Sequence, residues 1–235
     1  GTRFFEAEGD RLEFGSRRVL PDPTLSLHFG EQGAWDSRLT YEGIAFREAS
    51  GYHTLFNSDG NLLNGLSPRS INATASNAAG AARVNKYLSS VDVGIRRERV
   101  GGQFRLFDVA GWTPSVRIEH EHKEGTKVNS LFFYNPNVFA SIPEPVDYDT
   151  DRLTVMTDYT SRPVQARFSY IFSNFTNNQA SFKALTPFNV ATIPGYQASE
   201  LSLPPSNQEH RVKAQFGISP LDSTHLAMNL SYGLQ

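Results

Sequence analysis

The chain contains no cysteine among its 235 residues and no apolar run long enough for a membrane helix. The absence of cysteine excludes disulfides, thiolate catalysis, thiolate metal sites and covalent attachment of c-type haem to this chain. A membrane helix needs about 20 consecutive apolar residues, so a helical inner-membrane protein is excluded as well. The formal net charge is only −2, and the sequence lacks the basic stripe of a nucleic-acid-binding protein.

Recognised catalytic motifs are also missing. The sequence has no GxSxG, Walker or HExxH pattern, and we therefore expect no enzymatic activity. The chain does not begin with methionine, and its first ten residues, GTRFFEAEGD, lack the basic and apolar regions of a signal peptide. We expect either a processed N-terminus or a segment of a longer chain.

What the chain does have is an abundance of strand formers in a polar background. Hydrophobic residues make up 39% of the sequence, below the share of about 45–50% in globular proteins. Aromatic residues still reach 12%, with 17 Phe and 9 Tyr. This combination suits a soluble β-sandwich, and it equally suits a transmembrane barrel with apolar outward residues and a polar interior.

Apolar and polar residues alternate through several segments. The segment 115–123 shows the pattern most clearly, with Arg117, Glu119, Glu121 and Lys123 on one face and Val116 and Ile118 on the other. Segments 151–160, 164–175 and 209–218 alternate in the same way. Side chains of a strand point alternately to the two faces of its sheet. The pattern predicts roughly ten antiparallel strands, each with one apolar and one polar face.

The predicted connections differ in length in an ordered way. Tight turns are predicted at 31–33, 98–102, 124–125, 161–163 and 219–223, and long loops at 47–86, 135–150 and 174–207. Short turns on one rim and long loops on the other are typical of outer-membrane barrels. We therefore predict an all-β fold, an antiparallel transmembrane β-barrel that forms a single domain over residues 1–235.

The polar strand faces have two interpretations, a solvated sandwich face or the lumen of a wide barrel. Aromatic residues near the ends of the predicted strands favour the lumen, since they suit interfacial girdles: Trp35, Tyr41, Trp112, Phe133, Tyr134, Tyr159 and Tyr232. The charged side chains expected to face the lumen and a partner are Arg38, Glu42, Arg117, Glu119, Glu121, Lys123, Arg167, Arg211 and Lys213.

Two short patterns suggest chemistry only weakly. His120 and His122 share a strand face and could bind a metal, but no third ligand follows at a convincing spacing, so we predict no metal site. Glu119 and Glu121 share the opposite face and could imitate a catalytic carboxylate pair. Because Arg117 and Lys123 lie beside them, a charge-balanced wet face is the preferred interpretation.

Four segments carry a family resemblance. They are Glu121–Thr126 (EHKEGT), Pro143–Tyr148 (PEPVDY), Ser173–Asn177 (SNFTN, with Tyr170 before it) and Leu203–Asn207 (LPPSN). In order and spacing these segments resemble the MtrB/PioB family, the outer-membrane porins associated with decahaem c-type cytochromes. The resemblance is close over residues 96–233 and looser before them.

The resemblance implies a large barrel in the bacterial outer membrane. Such a barrel holds a multihaem c-type cytochrome, through which electrons cross between periplasm and exterior, and an extracellular multihaem cytochrome is a second implied partner. The haem is carried by the partner cytochrome, and no cofactor is bound covalently by this chain. The wall supplies a polar surface where a charged protein would otherwise meet hydrocarbon.

The chain also departs from the family pattern. It is much shorter, and its final residues, Tyr232–Gln235, lack the terminal aromatic of a completed barrel. Ten strands would close around a lumen too narrow for a folded cytochrome, so we expect a portion of a larger barrel. The alternatives are a diffusion porin or substrate channel without a cytochrome, and a soluble β-sandwich that binds a ligand or acts on carbohydrate.

Overall fold

The computed structural model describes residues 1–10, 22–68, 70–71, 78–133, 138–189, 198–221 and 223–235. It contains eleven named strands and one short helix within those residues. The elements are β1 (Arg3–Asp10), β2 (Thr24–Glu31), β3 (Trp35–Thr54), α1 (Ala78–Asn85), β4 (Ser89–Leu106), β5 (Trp112–Phe133), β6 (Val138–Ser161), β7 (Val164–Asn177), β8 (Ser181–Leu185), β9 (Ala198–Ser202), β10 (Asn207–Leu221) and β11 (Thr224–Leu234).

Nine of these strands form one antiparallel sheet, which we call the wall. Its order is β1-β2-β3-β4-β5-β6-β7-β10-β11, so strands that neighbour in the sheet are nearly always consecutive in the chain. The hairpin β8–β9 forms a separate two-stranded sheet. The edge strands β1 and β11 do not pair with each other in the described residues. The architecture is that of an antiparallel outer-membrane barrel wall, as the alternation predicts.

One face of the wall is apolar and exposed. On β5 the side chains of Val116 and Ile118 share this face with their β6 partners Val155 and Leu153. The exposed fraction of Ile118 is 61%. A soluble protein buries such side chains, whereas a barrel presents them to lipid. We call this side of the wall the outward face and the opposite side the lumenal face.

Aromatic rings mark both ends of the outward apolar band. At the end of the tight turns, Trp112 contacts Tyr159 and Phe168, with ring centroids 4.9 and 6.2 Å apart. At the other end, Tyr41 lies in register with Val100 and His120, and its hydroxyl donates to Oε1 of Glu98 at 3.2 Å. Rings with an apolar body and a polar tip suit the membrane–water boundary, so these two rows are the expected girdles.

Two predicted turns are wrong, because the strands run straight through them. Residues 98–102 lie inside β4, and residues 124–125 lie inside β5. Gly125 has φ +136°, and a Cβ at this position would lie 2.2 Å from the carbonyl oxygen of Gly94 on β4. The glycine therefore permits a close approach between two strands, which from sequence is hard to distinguish from a hairpin turn.

The predicted long loop at 135–150 is also wrong over most of its length. β6 begins at Val138 and pairs with β5 throughout, so Pro143 and Pro145 lie within a strand. β7 pairs with β6 only from Tyr148 onward. Within the part of the chain that the structure describes, one edge of β6 has no strand partner beside both prolines, and such an edge tolerates residues that lack a backbone N–H.

The long connections build a second region, the cap, at the end of the wall opposite the tight turns. The tips of β5 and β6 rise beyond the rest of the sheet, and the described parts of the connections 55–88 and 178–206 pack against them. The buried core of the cap consists of Leu55, Phe56, Leu66, Ile71, Leu131, Phe133, Ala140, Ile142, Phe182, Ala184, Phe188 and Leu203. Phe133, predicted as a girdle residue, is fully buried here, and Tyr134 lies outside the described residues.

The cap packs on the side of the β5–β6 tip that continues the lumenal face. Leu131 and Phe133 follow Lys123 at two-residue steps and therefore share its face. Phe56 stacks on Phe133 from the connection after β3, with ring centroids 5.9 Å apart. In the described residues, the connection after Thr54 therefore packs against this side of the β5–β6 tip.

An ion pair with a buried carboxylate anchors the base of the cap. The side chain of Glu144 is almost fully buried, and its Oε1 lies 2.8 Å from Nζ of Lys127. Asn129 donates a further hydrogen bond to the same carboxylate. The hydrogen bond to Glu144 raises the pKa of Lys127 above its ordinary value. The buried carboxylate of Glu144 is therefore matched by the charge of Lys127, whose side chain is partly exposed.

The only helix within the described ranges, α1, has eight residues. No helix in that part of the chain has the length and apolar character required to cross a bilayer.

Candidate functional site

The nine charged residues named in the sequence analysis all lie on the same face of the wall, the one we call lumenal, and their contact with a partner stays a prediction. Register pairs connect them across the wall, because paired residues of antiparallel strands point to the same side. Glu42 on β3 pairs with Arg99 on β4, which pairs with Glu121 on β5. The remaining predicted residues occupy the same face at two-residue steps: Arg38 on β3, Arg117, Glu119 and Lys123 on β5, Arg167 on β7, and Arg211 and Lys213 on β10.

β4 contributes lumenal residues that the sequence analysis missed. Arg97, Arg99 and Arg105 alternate along this strand and pair with β5. The predicted turn at 98–102 concealed them, because it divided one alternating strand into two. The signal that could have found them is the alternation of RRERVGGQFR itself, which continues through the glycine pair without a change of phase.

Arg99 joins two strands at the centre of the face. Its Nε and Nη2 donate to Oε2 of Glu121 at 3.1 and 2.7 Å, and its Nη1 lies 3.5 Å from Oε2 of Glu42. Arg97 lies 3.8 Å from the same oxygen of Glu121. Glu121 therefore forms ion pairs with both Arg97 and Arg99. This pairing supports a charge-balanced face rather than a catalytic carboxylate pair.

Beside this network lies a concavity of about 480 Å³ with an excess of positive charge. Four guanidinium groups line it, against two carboxylates: Arg105, Arg117, Arg152 and Arg211, with Glu119 and Glu209. We call these four arginines the arginine cluster. Arg211 is paired with Glu209, and Arg117 donates to the side-chain oxygen of Gln103. Arg152 has no ion-pair partner within the described part of the chain.

The arginine cluster can bind an anionic group. Guanidinium groups present planar forks of donors that match carboxylates and phosphates. The concavity also has an apolar floor, contributed by Met156 and Ile171. The arginines suit the charge of a bound anion, and the apolar floor suits an apolar group that carries this anion. A carboxylate on a protein surface is one example.

The residues that could hold a metal lie on the other side of the wall. His120 and His122 follow Ile118 on the outward face and pair with Asp151 and Asp149 of β6. The potential ligand atoms of His122, Asp147 and Asp149 lie within 4.8 Å of one another. Sequence analysis did not connect HEH with the acidic residues of VDYDTD, because only the strand register brings the two segments together.

Comparisons with known proteins agree with this architecture. Residues 3–235 match the model of the MtrB/PioB family, described as an outer membrane beta-barrel porin. The chain is 26% identical over 212 residues to "Outer membrane protein MtrB" of Shewanella baltica (strain OS185). The alignment covers 90% of this chain and 29% of that relative, so the chain spans less than a third of its length. With its lipid-facing band and charged lumenal face, the chain belongs to the MtrB/PioB family of outer-membrane β-barrel porins.

Proposed function

We propose that the chain is part of a barrel wall that holds a multihaem c-type cytochrome, through which electrons cross the outer membrane. The observation that carries this proposal is a charged lumenal face on an open sheet of nine antiparallel strands. A closed barrel of about eight strands fills its interior with its own side chains. Nine strands already come from a chain whose alignment covers 29% of its relative, so we expect the full barrel to have more strands and room for an occupant.

The chemistry of the lumenal face supports a protein occupant. Charges of both signs alternate along it, and the arginine cluster adds a local positive excess. Such a surface replaces the solvent that a charged protein would lose inside a membrane. We propose that the occupant docks an acidic patch or haem carboxylates against the cluster, and that the occupant carries the haem.

The proposal gives this chain no catalytic step and no cofactor of its own. The sequence has no cysteine, so c-type haem cannot be attached to it covalently. In the proposed complex the wall holds the cytochrome, excludes lipid and aligns its haem chain with the membrane normal. The long connections of porins face the exterior, so the cap would stand on the outer surface, where an extracellular cytochrome could dock.

Purification of the full-length protein in mild detergent tests the proposal. We expect a haem-staining partner to co-purify, and we expect the double charge reversal Arg117→Glu with Arg211→Glu to reduce its yield. The control is Arg162→Glu, a single charge reversal in a tight turn outside the concavity, and it is compared with Arg117→Glu alone as well as with the double variant. A colourless barrel without a partner would contradict the proposal, and solute flux through that barrel in liposomes would establish the diffusion porin instead.

A further inference from the structure

The outward face changes character abruptly above its apolar band. Three register pairs of β5 and β6 follow Ile118–Leu153 on this face, and all six residues are titratable. We call them the His–Asp patch: His120–Asp151, His122–Asp149 and Glu124–Asp147. Two imidazoles and four carboxylates therefore stand side by side where the wall leaves the lipid. This concentration of ligand atoms contrasts with the rest of the outward face, which is largely apolar.

The upper part of the patch has the geometry of a metal site. Nδ1 of His122 lies 2.8 Å from Oδ1 of Asp149, and ligand atoms of His122, Asp147 and Asp149 are mutually within 4.8 Å. Two ligands bound to one ion at about 2.1 Å lie at most about 4.2 Å apart. Small side-chain rotations would close that gap, because all three side chains are only half-buried. Nε2 of His120, 3.9 Å from Oδ1 of Asp149, is near enough to complete the set.

Asn178 marks the position between the two carboxylates. Its Nδ2 donates to Oδ1 of Asp147 and to Oδ2 of Asp149, both at 2.8 Å. Two neighbouring carboxylates repel unless a positive group lies between them, and here the partial charge of one amide fills that role. A cation would fill it more strongly. The amide could then rotate and offer its oxygen as a further ligand, since side-chain amides present either atom.

We propose that His122, Asp147 and Asp149 form a binding site for a divalent transition-metal ion such as Zn²⁺, with His120 as the fourth ligand. An imidazole ligand selects Zn²⁺ over Ca²⁺, which prefers six to eight oxygens. The ion would tie β5 to β6 at the point where they rise out of the wall. Asn178 lies just after β7, so it would link the connection between β7 and β8 to the same site. This site is independent of the proposed cytochrome.

Equilibrium dialysis of the full-length detergent-purified protein against Zn²⁺ tests the site. In His122→Gln and Asp149→Asn we expect Zn²⁺ binding to weaken by about 10–100-fold or more. His210→Gln is the matched control, because His210 also lies on the outward face but contacts Tyr170 rather than a carboxylate. Unchanged affinity in both ligand variants, or tighter binding of Ca²⁺ than of Zn²⁺, would overturn the proposal.

A gain-of-function variant keeps the test decisive if the ligand variants fold poorly. Asn178→Asp places a third carboxylate between Asp147 and Asp149. If a cation binds there, the added charge should tighten Zn²⁺ binding by about tenfold and raise the unfolding temperature only when Zn²⁺ is present. If Asn178 merely bridges the two carboxylates, the variant should lose stability with and without Zn²⁺, and the site would be rejected.

Discussion

The wall and the cap use hydrophobic residues in opposite ways. In the wall, apolar side chains point outward and remain exposed in the isolated chain, as Ile118 and Val212 do. In the cap, apolar side chains such as Phe56 and Ile142 are completely buried. The wall therefore depends on lipid to cover its apolar surface, whereas the cap covers its own. One chain thus contains a membrane part and a part built like a water-soluble domain.

The boundary between these regions runs through single strands. Within β5 the outward face changes from Ile118 to His120, and the lumenal face changes from Lys123 to Leu131 further along. The apolar side of the strand therefore switches between wall and cap although the backbone is continuous. The medium beside a strand, and not the strand itself, therefore decides which face is hydrophobic.

The largest expected effect is in the core of the cap. Phe133→Ala removes a fully buried ring that contacts Phe56 and Phe188. Loss of a buried phenylalanine lowers the free energy of unfolding by about 3–5 kcal/mol. We expect the cap to become sensitive to limited proteolysis while the wall remains folded in detergent. Hydrogen exchange of the amides in 54–68 measures the same loss.

The adjacent residue is the control for this prediction. Phe132 lies on the opposite face, contacts Phe139 and is 43% exposed. Phe132→Ala should change proteolysis of the cap only slightly, because little buried surface is lost. Equal effects of the two substitutions would contradict the division of β5 into a buried and an exposed side at its tip.

The second-largest effect is expected where a charge is placed on the outward face of the wall. Val155 lies on the outward face within the apolar band, so Val155→Arg exposes a guanidinium to lipid. An arginine near the bilayer midplane destabilises a barrel by about 2–4 kcal/mol. Urea unfolding of the full-length protein in liposomes measures this loss in the free energy of unfolding. Thr154→Arg, one residue away on the lumenal face, should be much milder, and the reverse order would show that the faces are assigned wrongly.

A smaller effect is expected at the base of the cap. Lys127→Ala leaves the buried carboxylate of Glu144 with Asn129 but without its ion-pair partner. An unsatisfied buried polar group costs about 1–3 kcal/mol, and partial exposure of Lys127 places the change near the lower end. Limited proteolysis of the cap, compared between Lys127→Ala and the wild type, measures this destabilisation. Lys183→Ala on the exposed hairpin β8–β9 is the control and should have almost no effect.

The same ion pair predicts an alkaline transition of the cap. The pKa of Lys127 is raised above its ordinary value of 10.5 by the hydrogen bond to Glu144. A raised pKa means that the stabilisation is complete below the ordinary value and is lost as the pH rises through the folded-state value. Cap proteolysis should therefore increase above about pH 10.5 in the wild type, and this increase should be smaller in Lys127→Ala.

Alternation predicted the lumenal residues well because it needs no knowledge of strand pairing. Side chains at two-residue steps share a face wherever the strand begins. Arg117 and Lys123 could therefore be assigned to one side from sequence alone. The tight turn at 31–33 was predictable for a similar reason, since Gly33 adopts the positive φ that a turn requires.

The features that escaped prediction depend on contacts between distant segments. The local sequence around Gly125 indicates a turn, but the glycine instead permits a close approach to Gly94 on the neighbouring strand β4. Phe133 looks like a girdle aromatic until Phe56 is placed on it. The His–Asp patch likewise depends on a register that pairs HEHKE with VDYDTD, and a shift of one residue would have separated them.

The smallest expected effect is at an ion pair on the lumenal face. Its size is compared between the empty barrel and the barrel with its occupant. Arg99→Ala removes a guanidinium that is 38% exposed and bonded to Glu121. In the isolated barrel, a double-mutant cycle with Glu121→Ala should give a coupling of about 0.2–1 kcal/mol that falls with added salt. An occupant would exclude water from this pair and strengthen the coupling. If the coupling in the haem-containing complex equals that of the empty barrel, the occupant does not cover this part of the wall.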